Sequence, residues 1–150
     1  MKYHLPLIFI GLILLMSALG CSQNYPLKGK ITYADGTPIT AGMVNFASET
    51  SLSRGKIQSD GSYVVGTLKD GDGLPKGSYK IYITGAEVAM EAKPPKGVQK
   101  VDSMGKPVAT LAAYRKLVHP KYMTTEQTPL TCDVPVEKNR FDIIVEPPVY

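Results

Sequence analysis

Residues Gly55 to Ile83 constrain the fold more than any other stretch of the chain. They read G-K-I-Q-S-D-G-S-Y-V-V-G-T-L-K-D-G-D-G-L-P-K-G-S-Y-K-I-Y-I. Short apolar runs at Ile57, at Tyr63 to Leu68 and at Tyr79 to Ile83 are broken by Asp-Gly and Pro-Lys-Gly turns. Strand-forming residues between such turns make antiparallel hairpins, because glycine supplies the positive φ that tight turns require. Beyond the N-terminal segment, the rest of the chain reads as strands that complete this sheet, with one long insertion.

The first 20 residues are a targeting segment. Lys2 supplies a positive start, and Leu5 to Met16 is an apolar run shorter than the about 20 residues a spanning helix needs. Ser17-Ala18-Leu19-Gly20 then places small residues before Cys21. Ala-Leu-Gly-Cys resembles a bacterial lipobox, which implies that the Cys21 thiol receives diacylglycerol and becomes the mature N-terminus. The leucine usually found three positions before the cysteine is replaced by Ala18, with Leu19 beside it. An ordinary secretory cleavage near Gly20 is the alternative. Two or more acyl chains anchor a protein stably, at ~0.8 kcal/mol per buried CH₂. Residues 21–26 read as a lipidated N-terminus and short tether, since the five residues Ser22 to Pro26 reach at most about 17 Å. Cys132 is the one cysteine left in the mature chain, which excludes an internal disulfide framework.

At 150 residues the chain is a single domain. Seven strands are expected. Leu27 to Tyr33 alternates and ends at the turn Ala34 to Pro38, and Gly42 to Phe46 follows. Ala47 to Arg54 reads as a polar loop before a short third strand, Gly55 to Gln58. Tyr63 to Leu68 is the fourth strand. In the fifth, Tyr79, Ile81 and Ile83 share one face. Ala86 to Pro129 breaks the rhythm and reads as an irregular insertion, with helical turns expected within Val108 to Val118. Leu130 to Val136 and Phe141 to Val145 complete the set. Pro135 cannot donate to a ladder, so the sixth strand ends there or lies at an edge. Seven short strands at regular spacing predict an antiparallel β-sandwich.

Three pieces in order resemble a known family. They are K-G-K-I-T-Y-A-D-G-T-P-I-T-A-G-M-V-N-F, then D-G-S-Y with G-L-P-K-G-S-Y-K-I-Y-I, then H-P-K-Y, T-P-L-T-C-D-V and N-R-F-D-I-I-V. Together they are similar to carboxypeptidase regulatory-like domains, and most similar to short bacterial lipoproteins carrying one such domain. The resemblance covers Tyr25 to Glu146. It implies a transthyretin-like (prealbumin-like) sandwich over residues 27–150, non-catalytic, with no cofactor. Its motifs are structural, with Tyr79 and Phe141 filling the core.

The candidate sites are few. Asp70-Gly-Asp-Gly73 lacks the ligand positions of an EF-hand and reads as a solvated turn. His119 and Cys132 are the nearest to a base and nucleophile, which keeps a hydrolase open as a lesser alternative. Cys132 falls on an inward strand face, where a thiol is usually inert. Lys28 and Lys30 alternate outward, which argues against an isopeptide bond to Asn139. The chain ends in Pro-Pro-Val-Tyr and lacks the terminal Tyr-Arg-Gly-Ser signature and the histidines of 5-hydroxyisourate hydrolase, which shares the implied fold, and this argues against that enzyme.

Charge is concentrated in the insertion. Between Ala86 and Thr125, Lys93, Lys96, Lys100, Lys106, Arg115, Lys116 and Lys121 stand against Glu87, Glu91 and Asp102, a net of +4. These seven are the expected contacts to anionic lipid head groups, envelope polysaccharide or another envelope protein. A loop merely kept soluble by lysine is the plainer reading. Nucleic acid is not expected of an exported chain whose basic segment holds only Tyr114 and Tyr122 for stacking. The expected function is a non-catalytic envelope lipoprotein, held at the membrane by Cys21 and serving binding or assembly. The alternative is a structural spacer without specific ligand.

Overall fold

Alternation with a period of two decides the architecture. The computed structural model describes residues 23–90, 103–105 and 113–149. Within them, strands and two 3-10 turns are the regular elements. The strands are β1 (Asn24–Tyr25), β2 (Lys28–Thr32), β3 (Met43–Ala47), β4 (Leu52–Lys56), β5 (Ser62–Val64), β6 (Leu74–Pro75), β7 (Gly77–Thr84), β8 (Glu87–Met90), β9 (Ala113–Lys116), β10 (Thr131–Val134) and β11 (Ile143–Ile144). The 3-10 turns are Pro120–Tyr122 and Glu137–Asn139. The fold is all-β. Each of the seven strands expected from the sequence has a counterpart, in β2, β3, β4, β5, β7, β10 and β11.

A four-stranded sheet runs in the order β10-β7-β3-β4, and a three-stranded sheet in the order β11-β2-β5. The pairs β1-β6 and β8-β9 form two small sheets. In β7, Tyr79, Ile81 and Ile83 are buried while Ser78, Lys80 and Thr84 face solvent. Val44 and Phe46 of β3 lie opposite Ile83 and Ile81. Ile31 of β2 and Tyr63 of β5 join the same buried cluster, so both larger sheets feed one core. The Phe46 ring sits 6.1 Å from Tyr63, tilted, and 6.4 Å from Tyr79, edge-on. Such geometries suit the ring quadrupoles and add to the area buried.

The structure corrects five expectations. β11 runs parallel to β2, pairing Ile143 with Ile31, so the strands are not all antiparallel. The polar loop ends at Ser51 rather than Arg54. β4 begins at Leu52 and buries Ser53 and Gly55, leaving Leu52, Arg54 and Lys56 outside. Gly55 faces inward because a side chain there would meet the Val64 carbonyl oxygen at 2.8 Å and the Tyr63 ring at 3.3 Å. Asn24 and Tyr25, expected to precede the first strand, themselves form β1 by pairing with Pro75 and Leu74. The insertion 86–129 is not irregular throughout, since it opens and closes a hairpin of β8 and β9. Residues 113–116, expected in helical turns, are strand, and Leu117, Val118 and Tyr122 are buried in the core. Leu111 lies outside the described residues.

The closing strand depends on one close approach. The Phe141 N–H donates to the Lys28 carbonyl at 2.9 Å, and the Val145 N–H to Thr32 at 2.9 Å. A side chain on Gly29 would meet the Phe141 carbonyl oxygen at 1.8 Å, so no other residue lets the chain lie there. The same carbonyl accepts the buried Tyr63 hydroxyl at 2.5 Å. Burial drives the Tyr63 phenol well above its ordinary range, so it always donates. Phe141 itself is only half-buried and packs against the core with its ring, while its backbone makes the seam. Removing the Tyr63 hydroxyl leaves that carbonyl short of a partner at a cost of about 1–3 kcal/mol. Tyr63→Phe is therefore expected to lower the midpoint of urea unfolding with the slope unchanged. An unchanged midpoint would mean the seam does not rely on this hydroxyl.

Candidate functional site

The basic residues expected to act together divide in space. Cys21 and Lys93, Lys96, Lys100 and Lys106 lie outside the described residues. Arg115 and Lys116 are exposed on β9. In the hairpin register Lys116 faces Glu87 and Arg115 faces Val88, so Lys116 meets an opposite charge across the strands. With Tyr33, Leu117, Pro147 and Pro148 they line an open cavity of about 260 Å³. Lys121 is committed elsewhere. Its Nζ lies 2.6 Å from Glu146 Oε1 and 5.1 Å from the centre of the Tyr122 ring. The hydrogen bond to Glu146 raises the Lys121 pKa and lowers that of the carboxylate. A cation already neutralised in this way adds little to an anion-binding surface.

The base of the insertion is firmly built. The Leu117 N–H donates to the Ala86 carbonyl at 2.8 Å, closing the hairpin where it leaves the body. The Tyr33 hydroxyl donates to the Leu117 carbonyl at 2.5 Å, and the Thr128 hydroxyl to Ile81 at 2.5 Å. This hairpin leaves the body just after Thr84, the far end of β7. β1 docks beside Leu74 and Pro75, just before the near end at Gly77. The eight residues of β7 span about 23 Å. β1 and the β8–β9 hairpin therefore sit toward opposite ends of β7.

His119 and Cys132 form no joint site. His119 caps the 3-10 turn that follows it: its Nδ1 accepts the Lys121 N–H at 3.1 Å, and its own N–H donates to Glu146. Cys132 is buried opposite Tyr79, and burial pushes its thiol up to about 11, so it stays protonated at neutral pH. Lys28 and Lys30 are exposed. Among the described residues no three His, Cys, Asp or Glu side chains gather to hold a metal ion, and no helix is long and apolar enough to cross a membrane.

A second groove was not legible in the sequence. It has a volume of about 470 Å³ and lies along the outer face of β4, walled by the loop after β5. Arg54 and Lys56 stand two residues apart on one strand face, and Lys69 joins them from the loop. Met43, Leu52 and Leu68 supply its apolar surface. The outward alternation of Leu52, Arg54 and Lys56 was visible only to a reader who allowed Ser53 and Gly55 inside. The loop is fixed by Asp72, whose carboxylate accepts the N–H groups of Thr67 at 2.6 Å and of Leu68 and Lys69, each at 3.1 Å. The Thr67 hydroxyl donates to Gly73 at 2.8 Å and shares a 2.8 Å hydrogen bond with Ser53. Asp70-Gly-Asp-Gly73 is thus a self-capped turn.

Comparisons of the chain with protein-family models, with curated proteins and with solved structures return no match.

The bonds from Thr67, Leu68 and Lys69 hold the Asp72 carboxyl below its ordinary 3.8. A depressed folded-state pKa gives stability that is present above the unfolded value and lost as pH falls through the folded one. Asp72→Asn is therefore expected to be less stable than the wild type at pH 7, with the gap narrowing as pH falls below 3.8. Urea unfolding of both proteins across that range checks it; a gap that does not change with pH would show that the charge is immaterial.

Proposed function

We propose that this chain is a non-catalytic envelope lipoprotein. Its β-fold body is read as a seven-stranded, carboxypeptidase regulatory-like sandwich of transthyretin type, closed by one parallel pair. Cys21 carries the lipid, and the opposite end presents a basic hairpin to an envelope polymer or protein partner. The opposition of the two ends is the observation that supports this reading most. Only Ser22 and Gln23 separate Cys21 from the first hydrogen-bonded residue, Asn24. Three residue steps reach about 10 Å, so the anchor would hold that end of the sheets against the bilayer. The hairpin then projects outward, where Arg115 and its neighbours meet partners beyond the lipid surface. The exposure of Arg115 and Tyr114, with Tyr114 64% accessible, suits contact with an anionic chain that also offers apolar or sugar faces.

The lipid is tested by fractionation. Expressed with its signal in a bacterial host, the wild type is expected in the membrane fraction and Cys21→Ser in the soluble fraction. Retention of the variant at high salt would overturn the anchor. The hairpin is tested by excision. Ala86 and Leu117 are already hydrogen-bonded, so replacing residues 87–116 with a short glycine turn keeps the buried Leu117, Val118 and Tyr122. The shortened protein is expected to fold and stay at the membrane but to lose salt-sensitive co-sedimentation with envelope polymer. Unaltered co-sedimentation would favour the spacer without specific ligand.

A further inference from the structure

We propose that the groove beside β4 takes the phosphate-bearing head group of an anionic phospholipid, in the bilayer that holds the Cys21 anchor. The inference rests on that anchor for its choice of lipid. It begins with charge. Arg54, Lys56 and Lys69 line the groove against a single acid, Asp70. Asp72, kept ionised by three backbone N–H groups, offsets part of the Lys69 charge and still leaves cations in excess. Among the described residues, none of these three cations has a carboxylate within ion-pairing distance. Arg54 and Lys56 project about 6.6 Å apart along one strand face, a spacing that lets both reach oxygens of one phosphodiester.

The apolar part fits the same ligand. Leu68 is 89% accessible at the rim, beside Met43 and Leu52. A bare leucine next to three cations is ill suited to a fully hydrated polyanion and well suited to the boundary where head groups meet acyl chains. Position supports the choice. Gly66 bridges to Arg54 of β4 on one side and to Gly73 on the other. Gly73 in turn lies so close to β1 that a side chain there would meet the Tyr25 carbonyl oxygen at 2.3 Å. The loop carrying Leu68 and Lys69 is thus continuous with the strand that begins three residues after Cys21. Register sets Met43 and Lys56 level with Thr84, so the groove climbs the sheet edge from this loop; its loop end, brought to the bilayer by the anchor, gives the body a second, salt-sensitive hold.

The test uses the chain from Ser22 onward, which contains the whole buried cluster from Leu27 to Val145. Flotation compares vesicles of phosphatidylcholine with vesicles that also contain phosphatidylglycerol. Binding is expected only to the anionic vesicles, and to fade with salt. Arg54→Ser with Lys56→Ser should weaken it roughly 30-fold, at about fivefold per cation. Leu68→Ser should weaken it roughly tenfold. Lys28→Ser with Lys30→Ser, on the other sheet, should change nothing. All these positions are exposed, and unaltered thermal unfolding would confirm that each variant folds. Equal binding to both vesicle types, or no loss in the Arg54/Lys56 variant, would overturn the proposal. So would shifts of Arg54 and Lys56 resonances by inorganic phosphate without any vesicle binding, which would mark a site for a free anion. Since this protein lacks Cys21, failure here leaves the fractionation of Cys21→Ser to judge the anchor separately.

Discussion

The seam between β2 and β11 is the constraint on which the rest of the structure depends. A parallel pair cannot be closed by a tight turn, and here the two strands are separated by almost the whole domain. Three features hold them together. Gly29 has no side chain to obstruct the Phe141 carbonyl, Tyr63 donates to that carbonyl from the core, and Asp142 accepts the Lys30 N–H at 2.8 Å while pairing with Arg140. The ion pair is exposed and screened by solvent, so the buried hydroxyl and the close backbone carry most of the work. Once β11 is seated, Ile143 and Val145 are buried and the three-stranded sheet is complete.

That seam also sets the polarity of the molecule. β11 runs the same way as β2 and delivers the chain end to the side where β7 finishes. There, Glu146 pairs with Lys121 and Pro147 and Pro148 wall the cavity beneath Arg115. The N-terminal strand is held at the other end by Leu74 and Pro75. A basic segment that sequence alone would assign to the nearest membrane therefore leaves the body at the end of β7 opposite β1. A quieter set of cations, Arg54, Lys56 and Lys69, gathers along the outer face of β4 and the loop after β5. Charge counted along the chain and charge arranged in space give different surfaces.

What was legible follows from local chemistry. The alternation of Tyr79, Ile81 and Ile83 fixed a strand and its buried face without any knowledge of its partners. Asp35-Gly36 and Asp60-Gly61 were readable as turns because each carboxylate caps an N–H two residues on, in Thr37 and Ser62. Cys132 was readable as a buried thiol from its place in Leu130 to Val136, and it is buried. The start of β4 was misjudged because Ser53 and Arg54 read as loop, and only the Val64 backbone and the Tyr63 ring packed at Gly55 explain why a residue without a side chain faces inward there. β8 and β9 were missed because a hairpin with both faces largely exposed leaves no hydrophobic period to read.

The sequence by itself determined the all-β class, most strand positions, the turns and the burial of Cys132, since each depends on residues within a few positions of one another. Tertiary structure alone decided that the last strand runs parallel, that Phe141 serves through its carbonyl, and that the β4 groove exists. It also placed the β8–β9 hairpin at the end of β7 opposite β1. These features join residues tens of positions apart, through contacts in which a missing side chain or a backbone oxygen matters as much as any residue type. No local pattern encodes the direction in which a strand returns, because the same alternating run buries the same face whether it lies parallel or antiparallel to its neighbour.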